Sequence, residues 1–173
     1  LFAEFYNAWS SMIYVIIGIY VIKKFSKDIY IVAVGLWLVA IGVGSFLFHA
    51  TMRYAFQLTD ELPMVGLVTT LVLAKTSSSH SEFVKKYATW IRVAICVQAI
   101  ALVAVYAYFD LYEIFLHGFT FMVLNDAAMG WYLRQSGPNL TLRRRTNLLG
   151  LVLIILGKTF WEVENHLCSS HPG

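Results

Sequence analysis

Ionised side chains are scarce in this chain. Thirteen basic and ten acidic residues carry all the formal charge in 173 positions, 13% of the total. A soluble domain averages about 25%. That is too little to coat a compact soluble fold of this size. With 59% apolar residues and a mean hydropathy of +0.68, the bilayer is the better solvent. Disorder and a coiled coil are excluded by the same composition, and an ordinary soluble enzyme is disfavoured. Cysteine is equally sparse. Cys96 and Cys168 are the only two, too few for a disulfide scaffold and without the spacing of a metal or redox motif. The net charge of +3 gives no reason to expect nucleic acid. The chain opens at Leu1, inside an apolar segment, and stops at Gly173 after a polar cluster. It is expected to be a piece of a longer membrane protein.

Six stretches approach the roughly 20 apolar residues that a membrane helix needs. They run from Ala3 to Ile22, Ile29 to Ala50, Gln57 to Ala74, Tyr87 to Phe109, Leu111 to Leu133 and Thr146 to Asn165. Backbone polar groups must be satisfied within lipid, and these runs are too long for barrel strands, so they read as helices. The expected architecture is all-α, a polytopic membrane bundle forming one domain over 1–173. Lys23, Lys24, Lys27, Lys75, Lys85, Lys86, Arg134, Arg143, Arg144 and Arg145 fall in alternate connections. The positive-inside rule places those in the cytosol. The N-terminus, the Arg53–Asp60 turn and the Glu162–His166 end then face the lumen. Six spans leave the chain's end lumenal too, so a seventh helix is expected to follow.

Ionisable groups within spans are costly and mark functional sites by default. They are densest around the turn between the second and third spans. Ser45 and His49 stand four apart, on one helical face. Asp60 and Glu61 read as opening the third helix, where the positive end favours carboxylates, and a short turn returns Asp60 towards His49. A neutral imidazole suits zinc, a carboxylate can move protons, and a hydroxyl can donate to an oxyanion. A structural histidine beside a simple acidic helix start would give the same spacing. His117, Asn125 and Asp126 read as interhelical hydrogen bonding, and Arg92 and Lys158 as snorkelling or paired. The Ser77–Ser81 stretch reads as a flexible loop. Glu4, Asn7, Glu162, Glu164 and His166 make an oxygen-rich rim that would suit calcium or simply solvent.

These residues resemble a known family. Gly44-Ser45-Phe46-Leu47-Phe48-His49-Ala50-Thr51, followed by Gln57-Leu58-Thr59-Asp60-Glu61-Leu62-Pro63-Met64, is similar to the signature of the alkaline ceramidases. These are seven-helix hydrolases of the superfamily that includes the adiponectin receptors. Ala3-Glu4-Phe5-Tyr6-Asn7 resembles their A-E-F-W-N segment. Trp161-Glu162-Val163-Glu164-Asn165-His166-Leu167-Cys168 resembles W-N-I-D-N-x-x-C, with Glu162 and Glu164 departing from it.

The resemblance implies that His49 is a ligand of catalytic zinc, with Ser45 holding the oxyanion and Asp60 handling protons. Water activated by zinc would cleave the amide of ceramide or phytoceramide into a sphingoid base and a fatty acid. It further implies a calcium-ligand position at Glu4, with calcium regulatory, and a disulfide from Cys168 to a missing N-terminal cysteine. Membrane lipid is the expected partner, with no obligate protein partner, and the endoplasmic reticulum or Golgi the expected location. The family's H-x-x-x-H pair, which supplies the other zinc ligands, is expected beyond Gly173, so the piece alone is expected to be inactive. A lipid-responsive receptor of the same superfamily and a proton-coupled transporter using His49 and Asp60 remain the alternatives.

Overall fold

The computed structural model describes residues 4–109 and 111–133, with helical positions 145, 148–150, 152, 155–157 and 159. Five long helices follow one another: α1 (Phe5–Lys24), α2 (Ile29–Thr51), α3 (Tyr54–Ser77), α4 (Glu82–Phe109) and α5 (Tyr112–Leu133). No strand occurs among the described residues. Helices α1 to α4 are long and apolar enough to cross a membrane. The fifth is helical as expected, but Glu113, His117, Asn125 and Asp126 leave it short of that apolarity. Most of the sixth expected span lies outside the described residues, as do Cys168, Lys158 and the Glu162–His166 end. Two compact units divide the chain, Leu1–Asp126 and Ala127–Gly173. Everything below concerns the first.

Successive helices pack side by side, α1 on α2, α2 on α3 and α3 on α4. Their register is antiparallel. Glu4 meets His49, Ser11 meets Ser45 and Gly18 meets Gly35, so numbers rise on α1 as they fall on α2. Large apolar side chains such as Ile13, Ile16, Leu36, Trp90 and Ile100 stay exposed. Lipid is the natural cover for such faces, and polar bonds between helices supply specificity that apolar contact cannot. Trp37 Nε1 donates to Thr70 Oγ1 at 2.9 Å, and Tyr30 and Ser77 hydroxyls meet at 2.8 Å. Lys75 bonds Asp126 Oδ1 at 2.6 Å and the Asp126 carbonyl at 3.0 Å. The interhelical role expected of Asp126 is thus met by α3. Arg92 donates to the Thr76 and Ser77 hydroxyls.

Helix ends follow their local chemistry. The Asp28 carboxylate accepts from the Tyr30 and Ile31 amides at 3.0 and 3.3 Å, capping α2. Lys23 and Lys24 close α1, where the dipole favours cations. Between α2 and α3 stand only Met52 and Arg53. Met52 takes the left-handed conformation (φ 52°, ψ 32°), which reverses the chain in the least possible length. Two sequence expectations are corrected here. Helix α3 begins at Tyr54 with Arg53 as its cap, so Asp60 and Glu61 are its seventh and eighth residues and do not open it. The break after α3 starts at Ser78 because the helix continues through Ser77.

Candidate functional site

The antiparallel register gathers one end of α1, α2, α3 and α4 into a polar cluster. Its floor is a close crossing of α2 on α3. A Cβ on Gly44 would run into the Thr59 carbonyl and lie 2.8 Å from the Asp60 nitrogen, so only glycine admits this approach. Pro63 stands four residues after Thr59 inside α3. A proline has no N–H to give the carbonyl one turn back, so the Thr59 carbonyl loses its helical donor and α2 lies directly upon it. A Cα–H···O contact is the interaction such a crossing favours.

The next residues up carry the chemistry. Ser45, buried at the same crossing, and His49 both lie near enough to the Asp60 carboxyl to act on it electrostatically. One turn beyond Ser45, His49 Nδ1 lies 2.6 Å from Glu4 Oε2, an ion pair if the ring is protonated. The Glu4 amide also donates to the His49 carbonyl at 3.0 Å. Asn7 Nδ2 donates to the same Glu4 oxygen at 2.9 Å. The Asn7 amide first of all, then the His49 ring, hold the Glu4 carboxyl below the ordinary value against the cost of partial burial. An ionised Glu4 accepts the Nδ1 proton, which fixes the imidazole tautomer and leaves the Nε2 lone pair for an electrophile. Carboxylates orient metal-binding histidines in this manner.

Deeper, the Glu61 side chain is buried. It accepts from Gln57 Nε2 at 3.0 Å and from the Tyr106 hydroxyl, itself wholly buried. The bond pins α3 to α4 directly beneath Asp60.

Ser45, His49 and Asp60, which the sequence grouped together, and Glu4, which it placed apart at the rim, therefore share one end of the bundle. The Glu4–His49 pairing was not legible beforehand, nor was Ser11, whose Oγ lies 2.9 Å from Ser45 Oγ. Asn7, four residues before Ser11, is the one sequence cue to it. His117 and Glu113 stand apart from the cluster, exposed and 3.8 Å from one another. Among the described residues no group of three or more His, Cys, Asp or Glu side chains gathers to hold a metal. For zinc the fit is partial: His49 offers one donor with its orienting carboxylate, where a catalytic site takes about three protein ligands. For calcium the fit fails among the described residues, because Glu4 and Asn7 fall short of the roughly six to eight oxygens required.

Apolar helices that leave their flanks to lipid, and a Ser–His–Asp cluster where the second helix meets the third, define a polytopic membrane protein with a candidate catalytic end. The chain belongs to the ceramidase family, whose model matches residues 1–172. It is 28% identical to alkaline ceramidase YPC1 of Saccharomyces cerevisiae over 186 residues, covering 96% of this chain and 58% of that protein. It is 39% identical to alkaline ceramidase 3 of Mus musculus over 66 residues, 36% of this chain and 25% of that one. The chain thus spans little more than half the length of the yeast relative.

Proposed function

We propose that the intact protein is a membrane amidohydrolase that splits ceramide-type lipids into a sphingoid base and a free fatty acid. The observation that carries this reading is the convergence of Ser45, His49 and Asp60 at the α2–α3 crossing, in a chain of the ceramidase family. A ceramide reaches such a site sideways from the bilayer, while water enters at the polar end.

His49 is proposed as one zinc ligand through Nε2, oriented by Glu4 on Nδ1. When bound, zinc would supply a Lewis acid that activates water near neutral pH. Asp60 accepts a proton from the attacking water and delivers it to the nitrogen of the leaving amine as the C–N bond breaks. Ser45 donates its hydroxyl to the carbonyl oxygen as negative charge develops there. The remaining zinc ligands lie outside this chain in the proposal, and so does the partner of Cys168. A regulatory calcium at Glu4 stays a proposal that would need most of its oxygen ligands from outside the described residues. The basic residues Lys23, Lys24, Lys27, Lys75, Lys85 and Lys86 cluster at the end opposite the site. That supports a lumenal site and N-terminus; the endoplasmic reticulum or Golgi is proposed from the family resemblance alone.

The test is hydrolysis of ceramide and phytoceramide by the purified intact protein with zinc, read as released sphingoid base by mass spectrometry. Turnover is expected. Full zinc occupancy without amide cleavage would overturn the assignment, and a flux driven by a pH gradient would replace it with a transporter. Ser45→Ala is expected to lower kcat about 10²–10³-fold, the size of losing one oxyanion donor, with zinc content unchanged. An unchanged kcat would remove Ser45 from the chemistry.

A further inference from the structure

We infer that Ser11 is a positioning residue for Ser45, acting across the α1–α2 interface; this rests on the reading of Ser45 above. A helical serine or threonine by default turns its hydroxyl back to the carbonyl four residues earlier. Thr51, Thr69, Thr70, Ser78 and Thr120 all do so here. Ser45 instead meets the Ser11 hydroxyl on another helix, α1, with the Asp60 carboxyl of α3 near by. A hydroxyl has one proton and two lone pairs, and its rotation is set by its neighbours.

Ser11 is 5% exposed and Ser45 9%, so water does not set that rotation. The Ser11 hydroxyl lies 2.9 Å from Ser45 Oγ and 2.8 Å from the Asn7 carbonyl. Donating to Ser45, it occupies a lone pair and directs the Ser45 proton away from α1, leaving it for the reacting carbonyl. When it donates to Asn7 the Ser45 proton is released to turn back. Gly42 makes the arrangement possible, since a Cβ there would meet the Ser11 carbonyl at 2.9 Å and hold α1 away.

The role predicts a loss in turnover without a loss in binding, and a loss that requires Ser45. In the intact protein, Ser11→Ala is expected to lower kcat about tenfold with KM, zinc content and melting temperature unchanged. Ser11→Cys, slightly larger and a weaker donor, is expected to do the same and stands in should the alanine variant misfold. In a double-mutant cycle, Ser11→Ala added to Ser45→Ala is expected to cost nothing further. Unchanged kcat in both Ser11 variants, or losses that multiply in the cycle, would overturn the inference and leave Ser45 standing. A Ser45→Ala protein of full activity would instead overturn the Ser45 reading, and this inference with it.

Discussion

His49→Ala is expected to leave the purified intact protein without stoichiometric zinc and with ceramide turnover reduced by at least about 10³-fold. The magnitude follows from the donor count: a catalytic zinc takes about three protein ligands, and a site short of one would not hold it against dilution and chelation. The geometry sharpens the expectation. His49 is held twice by Glu4, ring nitrogen to carboxylate at 2.6 Å and carbonyl to amide at 3.0 Å, so its ring is aimed before any metal arrives. Glu4→Gln removes only the aiming charge. Loss of an orienting partner weakens metal affinity about 10–100-fold, so that variant is expected to bind zinc when saturated and lose it on dialysis. Metal analysis of both proteins after dialysis is the check. Full zinc content in His49→Ala would show that the imidazole is not a ligand, whatever the activity does.

Much of this site was legible before the fold because its parts are local. Ser45 and His49 share a face through the helical repeat alone, and a short turn is enough to return Asp60 towards them. The starting point itself was misplaced. Arg53 and Tyr54 carry no cue for a helix start, whereas Asp60 and Glu61 look like one; the left-handed Met52 ends α2 so sharply that α3 begins six residues before Asp60. What could not be read is the register of α1. Its apolar residues run all round the helix, so periodicity names no face and no partner. Contact between Glu4 and His49, 45 residues apart, depends on Gly18, Gly35 and Gly42 letting two backbones settle together. Ser11 was hidden for the same reason, a small polar residue in an apolar run whose meaning lies on another helix.

The α2–α3 crossing yields the other large effect. Gly44→Ala is expected to destabilise the protein by at least about 3 kcal/mol, the upper end for overpacking a core, and to cut turnover by about 10²-fold or more, the cost of misplacing reacting groups by an ångström. The added methyl meets the Thr59 carbonyl and the Asp60 nitrogen, which are backbone atoms and cannot swing aside as a side chain can. Relief requires α2 and α3 to separate, and Ser45 and Asp60 sit on either side of that seam. Gly118→Ala is the matched control. The three atoms nearest its methyl all belong to the Leu102 side chain, the closest at 2.5 Å, and a leucine end can rotate, so the variant is expected to melt within a few degrees of the parent and retain activity. Thermal unfolding and ceramide turnover, measured on both variants in one detergent, separate the two effects. A Gly44→Ala protein as stable and active as Gly118→Ala would mean that the helices do not touch at Thr59, and the freed carbonyl behind Pro63 would then need another partner.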